Sequence, residues 1–468
     1  MMREPEFPLS PDAVGGEGWG EGAASGVPEA LHQHAAHPPH PTLSPKQTWG
    51  RGIVLFWILL LFPLFSFAQP APQPGADLDV SLVTFGPGTQ VWERFGHNAI
   101  LVNNRASGTQ RLYNYGMFDF AQKNFFLNFA RGRMLYRIDV DDPADEFPIY
   151  RDEGRWIVEQ NLNLTPAQRA KLRDFLDWNA RPENAQYRYD YFTANCSTRV
   201  RDALDAALGG AIRAQLIAPS RGFTYRMDAL RLMRPDPAMM VLIDAGLGPF
   251  ADTRLSYWAE SFVPMEFMRY AREVKVRDET GNLVPLVARE TVIDPGTLPE
   301  PPDYPPNWIW QALAIGVLAG LGVFALYRKR SQRWARWTFA ACASLIALVC
   351  GISGLVLIGL WTLTDHVAAW HNENILLLDP LCLLLVPAWI ASARASWQPS
   401  RFVKATSFVI AFLAAFEFFL KIYPSFAQDN RFWIALLLPI QVALAAGVNW
   451  RAIKPDPVFR PTSAANKS

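Results

Sequence analysis

The chain carries almost no charge excess: 44 Lys and Arg stand against 43 Asp and Glu in 468 residues, a formal net charge of +1. A general basic field for nucleic acid is therefore excluded. Cysteine is scarce. The four present are Cys196, Cys342, Cys350 and Cys382, the last three in apolar stretches, so neither a disulfide scaffold nor a CxxC zinc site is available. A Gly-rich phosphate loop, a GxSxG elbow, an HExxH pair and an internal repeat are all missing. Nothing in the sequence implies a cofactor or a metal.

Hydrophobic residues make up 50% of the chain and charged residues 19%, with most of the charge before residue 300. That imbalance describes a soluble domain joined to a membrane domain. Residues 1–50 contain GGEGWGEG and HQHAAHPPHPTLSP and have no apolar period, so a disordered or mis-called extension is expected there. Its histidines His32, His34, His37 and His40 have only adventitious metal binding to offer. Lys46 and Arg51 lead into IVLFWILLLFPLFSFA, which ends in Ser66-Phe67-Ala68 and resembles an export cleavage site. Residues 51–68 are thus expected to be a signal peptide or anchor, and 69–300 an exported domain.

After the Pro-rich DPGTLPEPPDYPP come five apolar segments, about 306–327, 338–361, 375–393, 405–423 and 432–450. Each is long enough to cross a hydrocarbon core of about 30 Å, which predicts an all-α five-helix membrane domain over 301–454 and a cytoplasmic tail over 455–468. Arg328, Lys329, Arg330, Arg333 and Arg336 follow the first segment, Arg394, Arg401 and Lys404 the third, and Arg451, Lys454 and Arg460 the fifth. The loops after the second and fourth carry only Arg431. Basic loops belong in the cytoplasm, so the region 69–305 and the loop 362–374 fall on the outer side.

Polar residues gather at that outer side. The loop carries Asp365, His366, His371, Asn372 and Asn374; Asp379-Pro380 lies just inside the next span, and Glu417 and Lys421 sit one helical turn apart near the outer end of the fourth. One reading is a Pro-broken helix end with a snorkelling ion pair. The other is a polar pocket for a lipid head group or the N-terminus of a substrate.

The exported region has one histidine, His97, and one cysteine, Cys196. A lone His is commonly a satisfied surface or core group and a lone Cys a small hydrophobe, but their settings point further. DVSLVTFGPGTQVWERFGHNAILVNN reads as two strands, with His97 opening the second, and QRLYNYGMF puts Asn114 on a neighbouring strand where its amide can fix the imidazole tautomer. From Cys196 onward Val200, Ala203, Leu204, Ala207 and Leu208 follow a helical period that stops at Gly209-Gly210, with Asn195 as cap. Cys196 then lies in the first turn, where the helix dipole and free N–H groups are expected to lower its pKa and to supply oxyanion donors. LNLTPAQRAKLRDFLDWNARPEN opens with a Thr cap and Pro166 and reads as a structural helix, while FDFAQKNFFLNFARGRMLYRIDV reads as strand and turn with an exposed aromatic edge. Arg199, Arg201 and Asp202 either hold the helix by salt bridges or present an Arg to a phosphate. Residues 211–300 carry no legible motif.

The stretches VSLVTFGPGTQVWERFGHNAILV, LYNYGMFDF, EQNLNLTPAQRAKL and YRYDYFTANCSTRVRDALDAAL resemble the bacterial Lnb N-terminal periplasmic domain family over about 76–235, and DHVAAWHNENILLLDPL resembles its membrane part. The resemblance implies an α+β fold of the permuted papain-like kind, akin to NlpC-type peptidases and lecithin:retinol acyltransferases, with His97 preceding Cys196. It also implies a lipoprotein N-acyltransferase of the bacterial inner (cytoplasmic) membrane with its catalytic domain in the periplasm. Cys196 would be the nucleophile and His97 the general base and acid; Asn114 as third member rests on strand placement rather than on the resemblance. The implied partners are a phospholipid acyl donor, a lipoprotein acceptor and the membrane, with Arg199, Asp365, His366, His371, Asn372, Asn374, Asp379 and Glu417 as candidate substrate contacts. Two alternatives use the same residues differently: an envelope cysteine peptidase or amidase, and a non-enzymatic envelope protein.

Overall fold

The computed structural model describes residues 73–118 and 122–449. The readings of 1–50, of the 51–68 export segment and of the 455–468 tail, with the cations of 451–460, fall outside the described residues.

The N-terminal domain is built on an antiparallel sheet of seven strands, ordered β6-β4-β3-β2-β1-β5-β9. They are β1 (Leu78–Phe85), β2 (His97–Asn104), β3 (Thr109–Met117), β4 (Leu135–Asp141), β5 (Ile157–Leu162), β6 (Gln186–Arg188) and β9 (Val287–Asp294), with β7 (Lys275–Arg277) and β8 (Leu283–Pro285) forming a separate hairpin. Seven of the eight residues of β1 are buried, because both its faces are covered; a strand so placed reads as continuously apolar rather than alternating. On one face Val83, Phe85, Ala99, Leu101, Leu112 and Ile157 pack with Tyr150. The helices of this domain are α1 (Phe125–Ala130), α2 (Pro143–Asp152), α3 (Pro166–Asn179), α4 (Cys196–Ala207), α5 (Ala211–Leu216), α6 (Tyr225–Met233), α7 (Pro237–Gly246), α8 (Tyr257–Glu260) and α9 (Pro264–Ala271). Tyr150 and its face belong to α2; α3, α4 and α9 cover the opposite face.

The sequence read strand and turn through 118–140, yet Phe125–Ala130 is helical. An aromatic edge is exposed there, with Phe126, Leu127 and Phe129 all open to solvent. Within 211–300, where no motif was legible, lie five helices, the hairpin and the edge strand β9, which closes the sheet against β5.

Four helices among the described residues are long and apolar enough to cross a membrane: α10 (Ile309–Arg328), α11 (Arg333–Leu363), α13 (Arg401–Leu420) and α14 (Arg431–Asn449). The expected third span, 375–393, is not one of them. It contains only the ten-residue α12 (Cys382–Ala391), about 15 Å of helix against the 30 Å required. Pro380 explains the shortfall, since it has no N–H and disfavours helical backbone at Asp379 before it. The irregular segment is tolerated because it is buried: Leu377 and Leu378 are enclosed, their amides bond to the Asn374 carbonyl at 3.0 and 2.7 Å, and the Leu381 amide bonds to Asp379 Oδ1 at 2.8 Å. Gly354 of α11 makes room, because a Cβ there would collide with the Leu378 carbonyl and the Pro380 ring. This segment still connects opposite ends of the bundle. Its start meets the N-terminal domain through Asn372, and beyond its end Arg336 and Arg330, which follow α10, bond to the carbonyls of Ala393 and Trp397.

Candidate active site

Helix α4 begins as its sequence requires. Asn195 is the N-cap: its Oδ1 accepts from the Thr198 amide at 3.0 Å, and Thr198 Oγ1 accepts from the Asn195 amide at 2.8 Å. Asn195 Nδ2 donates to the carbonyls of Tyr191 and Phe262 at 3.0 and 2.9 Å, which ties the helix start to the segment before α9. Ser197 Oγ donates to the Ser261 carbonyl at 2.6 Å and accepts from Asn98 Nδ2 at 3.0 Å. The first turn of α4 is therefore bonded directly to the second residue of β2.

That bond brings the two chemical groups to one end of the sheet. The sulfur of Cys196 faces the backbone N–H groups of Asn98, of Ser197 and of Cys196 itself, and Asn98 immediately follows His97. Gly116, at φ +89° in the irregular stretch of β3, lies against the cysteine; a Cβ there would come within 3.3 Å of the Cys196 Cβ. Tyr150, Tyr187 and Tyr189 lie within electrostatic range of the sulfur, and burial raises the pKa of all three phenols.

The imidazole is oriented by a chain of side chains. His97 Nε2 lies 3.1 Å from Asn114 Oδ1, and Asn114 Nδ2 donates to Asp141 Oδ2 at 2.7 Å. A carboxylate only accepts, so Asp141 fixes which end of the amide is nitrogen; the Asn114 oxygen then only accepts from His97. Nε2 therefore carries the proton and Nδ1 is the free base. Asp141 was missed by sequence reasoning: it lies in the acid-rich RIDVDD run, and only strand pairing singles it out.

The electrostatics differ from expectation in one respect. Burial pushes the Cys196 thiol up, outweighing the three backbone N–H groups and the Arg155 guanidinium that favour the thiolate. The expected lowering at a helix N-terminus is overturned by desolvation. Burial likewise lowers His97 to about 4, against the Asn114 hydrogen bond, and the Arg155 charge adds to the lowering. Arg155 is itself buried, bonding to the Gly86 carbonyl at 2.7 Å and lying 4.5 Å from the Tyr150 ring centre. The resting pair is a neutral thiol and a neutral imidazole.

The remaining candidates lie elsewhere. Arg199 stacks over Tyr187 at 4.6 Å, and its buried Nε has no hydrogen-bond partner; the salt bridge to Asp202 is made by Arg201 instead, at 2.7 Å. The outer-loop residues join the two domains. Asp365 accepts from Arg188 at 2.6 Å and Arg133 at 3.0 Å, contacts that hold its carboxyl below the usual range. His366 Nε2 lies 3.0 Å from the Phe129 carbonyl, and its ring stacks on Tyr191. Asn372 and Asn374 both donate to the Ala245 carbonyl, at 2.9 and 3.1 Å. His371, at φ 56°, packs on Trp361. Glu417 bonds to Asn430 at 2.8 Å and pairs with Lys421 at 2.8 Å; Lys421 also pairs with Glu373. Of the two readings of this cluster, the Pro-broken helix end and the Glu417–Lys421 pair are present, and Asp365, His366, Asn372 and Asn374 bond to the N-terminal domain in a seam.

Fold and site together define a class: a membrane-anchored α+β protein whose sheet domain brings a cysteine and a histidine to one end of the sheet. Two family models match, the Lnb N-terminal periplasmic domain over residues 74–232 and the Lnb transmembrane domain over 305–445. The chain belongs to the Lnb family and is a membrane protein with a periplasmic domain. No curated protein and no solved structure matches it.

Proposed function

We propose that this protein is a cysteine-dependent acyltransferase of the bacterial inner membrane, with a papain-like catalytic head, that moves an acyl chain from a phospholipid to the N-terminal amine of lipoproteins. The observation that carries the reading is a part-buried thiol at the start of α4, facing the residue next to His97, in a domain bonded directly to the spans. Nδ1 of His97 takes the Cys196 proton as sulfur attacks the ester carbonyl; the carbonyl C–O bond breaks, and His97 returns the proton to the leaving glycerol oxygen. A thioester and a lysophospholipid result. The acceptor α-amine, with an ordinary pKa of about 7.7–8.0 and hence partly neutral near pH 7, then attacks the thioester. Its proton passes through His97 to the departing sulfur. The N–H groups of Asn98, Ser197 and Cys196 are the donors for negative charge on sulfur and on the adjacent oxyanion.

The direct bond between this domain and a span, from Trp433 Nε1 to Asp244, supports transfer over hydrolysis, because donor and acceptor are both lipids held at the membrane. Asn114 and Asp141 act through His97 by fixing its tautomer. Intact-mass measurement of the purified protein with phospholipid tests the reading: a fatty-acyl adduct is expected on the wild type and none on Cys196→Ser. No adduct under any condition would overturn it, and release of peptidoglycan fragments without lipid would replace it with the hydrolase. In cells depleted of their own lipoprotein N-acyltransferase, this gene should restore N-acylated lipoprotein termini; unmodified amines there would count equally against it.

A further inference from the structure

Helix α1 is short, apolar and exposed. Phe126, Leu127 and Phe129 are 76%, 47% and 44% accessible, an aromatic patch that a freely soluble domain has no reason to display. Its position explains it. The backbone N–H of Asp365, just beyond the end of α11, donates to the Arg131 carbonyl at 2.8 Å, and His366 bonds to the Phe129 carbonyl. Helix α1 is thus held at the periplasmic end of a candidate membrane span. Between Gln122 and Arg133 the sequence has no acid; Arg133 is paired with Asp365, and Lys123 and Arg131 flank the helix, in keeping with the phosphates of glycerophospholipids.

From this patch a row of rings leads inward. Phe125 touches both Phe126 and Phe129, with centres 5.4 and 6.4 Å apart, and stacks on Phe118 at 6.0 Å. Phe118 lies 5.2 Å from Tyr136, and Tyr136 stacks on Tyr189 at 4.1 Å. Tyr189 is within electrostatic range of Cys196. One end of the row is the exposed face of α1 and the other lies within electrostatic range of the thiol.

We propose that α1 inserts into the outer leaflet and that the Phe118–Tyr136–Tyr189 row guides one acyl chain of a glycerophospholipid to Cys196. The inference rests on the acyltransferase reading and names its donor route. A lipid drawn in along the rings lays its acyl chain against them with its ester at the inner end, toward the sulfur, while the cations beside α1 face the head groups of neighbouring lipids. The exposed apolar face then meets acyl chains rather than water.

The test compares two donors on the full-length protein in detergent, with no acceptor present: a dioleoyl phosphatidylethanolamine, and a dihexanoyl analogue soluble as monomers. The rate of adduct formation on Cys196 is read by intact mass for each. Phe126→Asp places a charge on the exposed helix and is expected to lower the ratio of long-chain to short-chain acylation about tenfold or more, the factor that corresponds to withdrawing one Phe from lipid. Phe126→Leu should recover most of that ratio. An unchanged ratio in Phe126→Asp, or an equal fall with both donors, overturns the route while leaving the acyltransferase reading intact. Absence of adduct from both donors in the wild type overturns the acyltransferase reading itself.

Discussion

The thiol site and the seam between the domains both bury polar groups, and they resolve the cost of burial in opposite ways. Around Cys196 the chain presents backbone N–H groups, a neutral amide and one buried cation, Arg155, and burial moves both titrating groups toward their uncharged forms. At the seam charges are buried in pairs. Arg226, almost fully enclosed, bonds to Asp252 and Asp244 and to the carbonyls of Leu247 and Gly248, and Asp244 in turn accepts from Trp433 Nε1 of α14 at 3.0 Å. Gln428 Nε2 reaches the Leu247 carbonyl at 3.0 Å, and the Gly248 amide donates to the Ala368 carbonyl at 2.7 Å. Burial without an ion pair leaves reactive groups neutral. Desolvation with a countercharge locks two domains together.

The comparison breaks most sharply at His97. His97→Ala is expected to slow thioester formation about 10²–10⁴-fold, the usual worth of a positioned base, with the adduct rate as readout. With its pKa near 4, His97 remains a neutral base well below pH 6.5, so adduct formation should persist to about pH 5. Stability follows the same sign. The folded pKa lies below the unfolded 6.5, so as pH falls through 6.5 toward 4 the unfolded chain takes the proton first. About 3 kcal/mol of stability is then lost across that window. Chemical unfolding of wild type and His97→Gln from pH 7 to 4 measures it. Parallel pH slopes would show that the imidazole is not desolvated.

The seam breaks next, at Arg226. Arg226→Met leaves Asp244 and Asp252 buried without their partner, which costs about 3–5 kcal/mol when one member of a buried pair is removed. Thermal unfolding of the full chain in detergent should show a lower midpoint, with the periplasmic domain melting apart from the spans. Replacing the charges together, by Arg226→Met with Asp244→Leu and Asp252→Leu, should recover part of the loss. A single unshifted transition in Arg226→Met would mean that the seam does not depend on this cluster.

Local chemistry made some of this legible in the sequence. Asn195 before an apolar period marks a helix start, and the amide does bond the third residue of α4; Thr165-Pro166 likewise caps α3, with Thr165 Oγ1 accepting from Gln168. Asn114 follows from strand adjacency, because β2 and β3 pair with Ala99 opposite Asn114. What stayed hidden depends on long-range packing. Burial, which sequence spacing does not report, decides the direction of the Cys196 shift. Asp141 reaches Asn114 only through the pairing of β3 with β4. The short third crossing was concealed because 375–393 is apolar enough for a span, while Pro380 and the close approach to Gly354 decide its shape. Arg226 and Asp244 lie in a region without motifs, and their role exists only once α14 brings Trp433 beside them.

The weakest point of contact is at Asp365, and it separates the exposed rim of the seam from its buried centre. Its pairs with Arg188 and Arg133 are exposed, the carboxylate side chain 39% accessible, so solvent screens them and each is worth about 0.2–1 kcal/mol. Asp365→Asn keeps the backbone bond to Arg131 and the His366 bond to Phe129. The domains should stay docked, with a midpoint lowered only slightly at low salt and not at all near 1 M salt, where the screening length falls to about 3 Å. Arg226→Met, by contrast, should be nearly insensitive to salt, because its partners are out of reach of ions. Equal salt dependence in the two variants would mean that the centre of the seam is wet, and the distinction between rim and centre would fail.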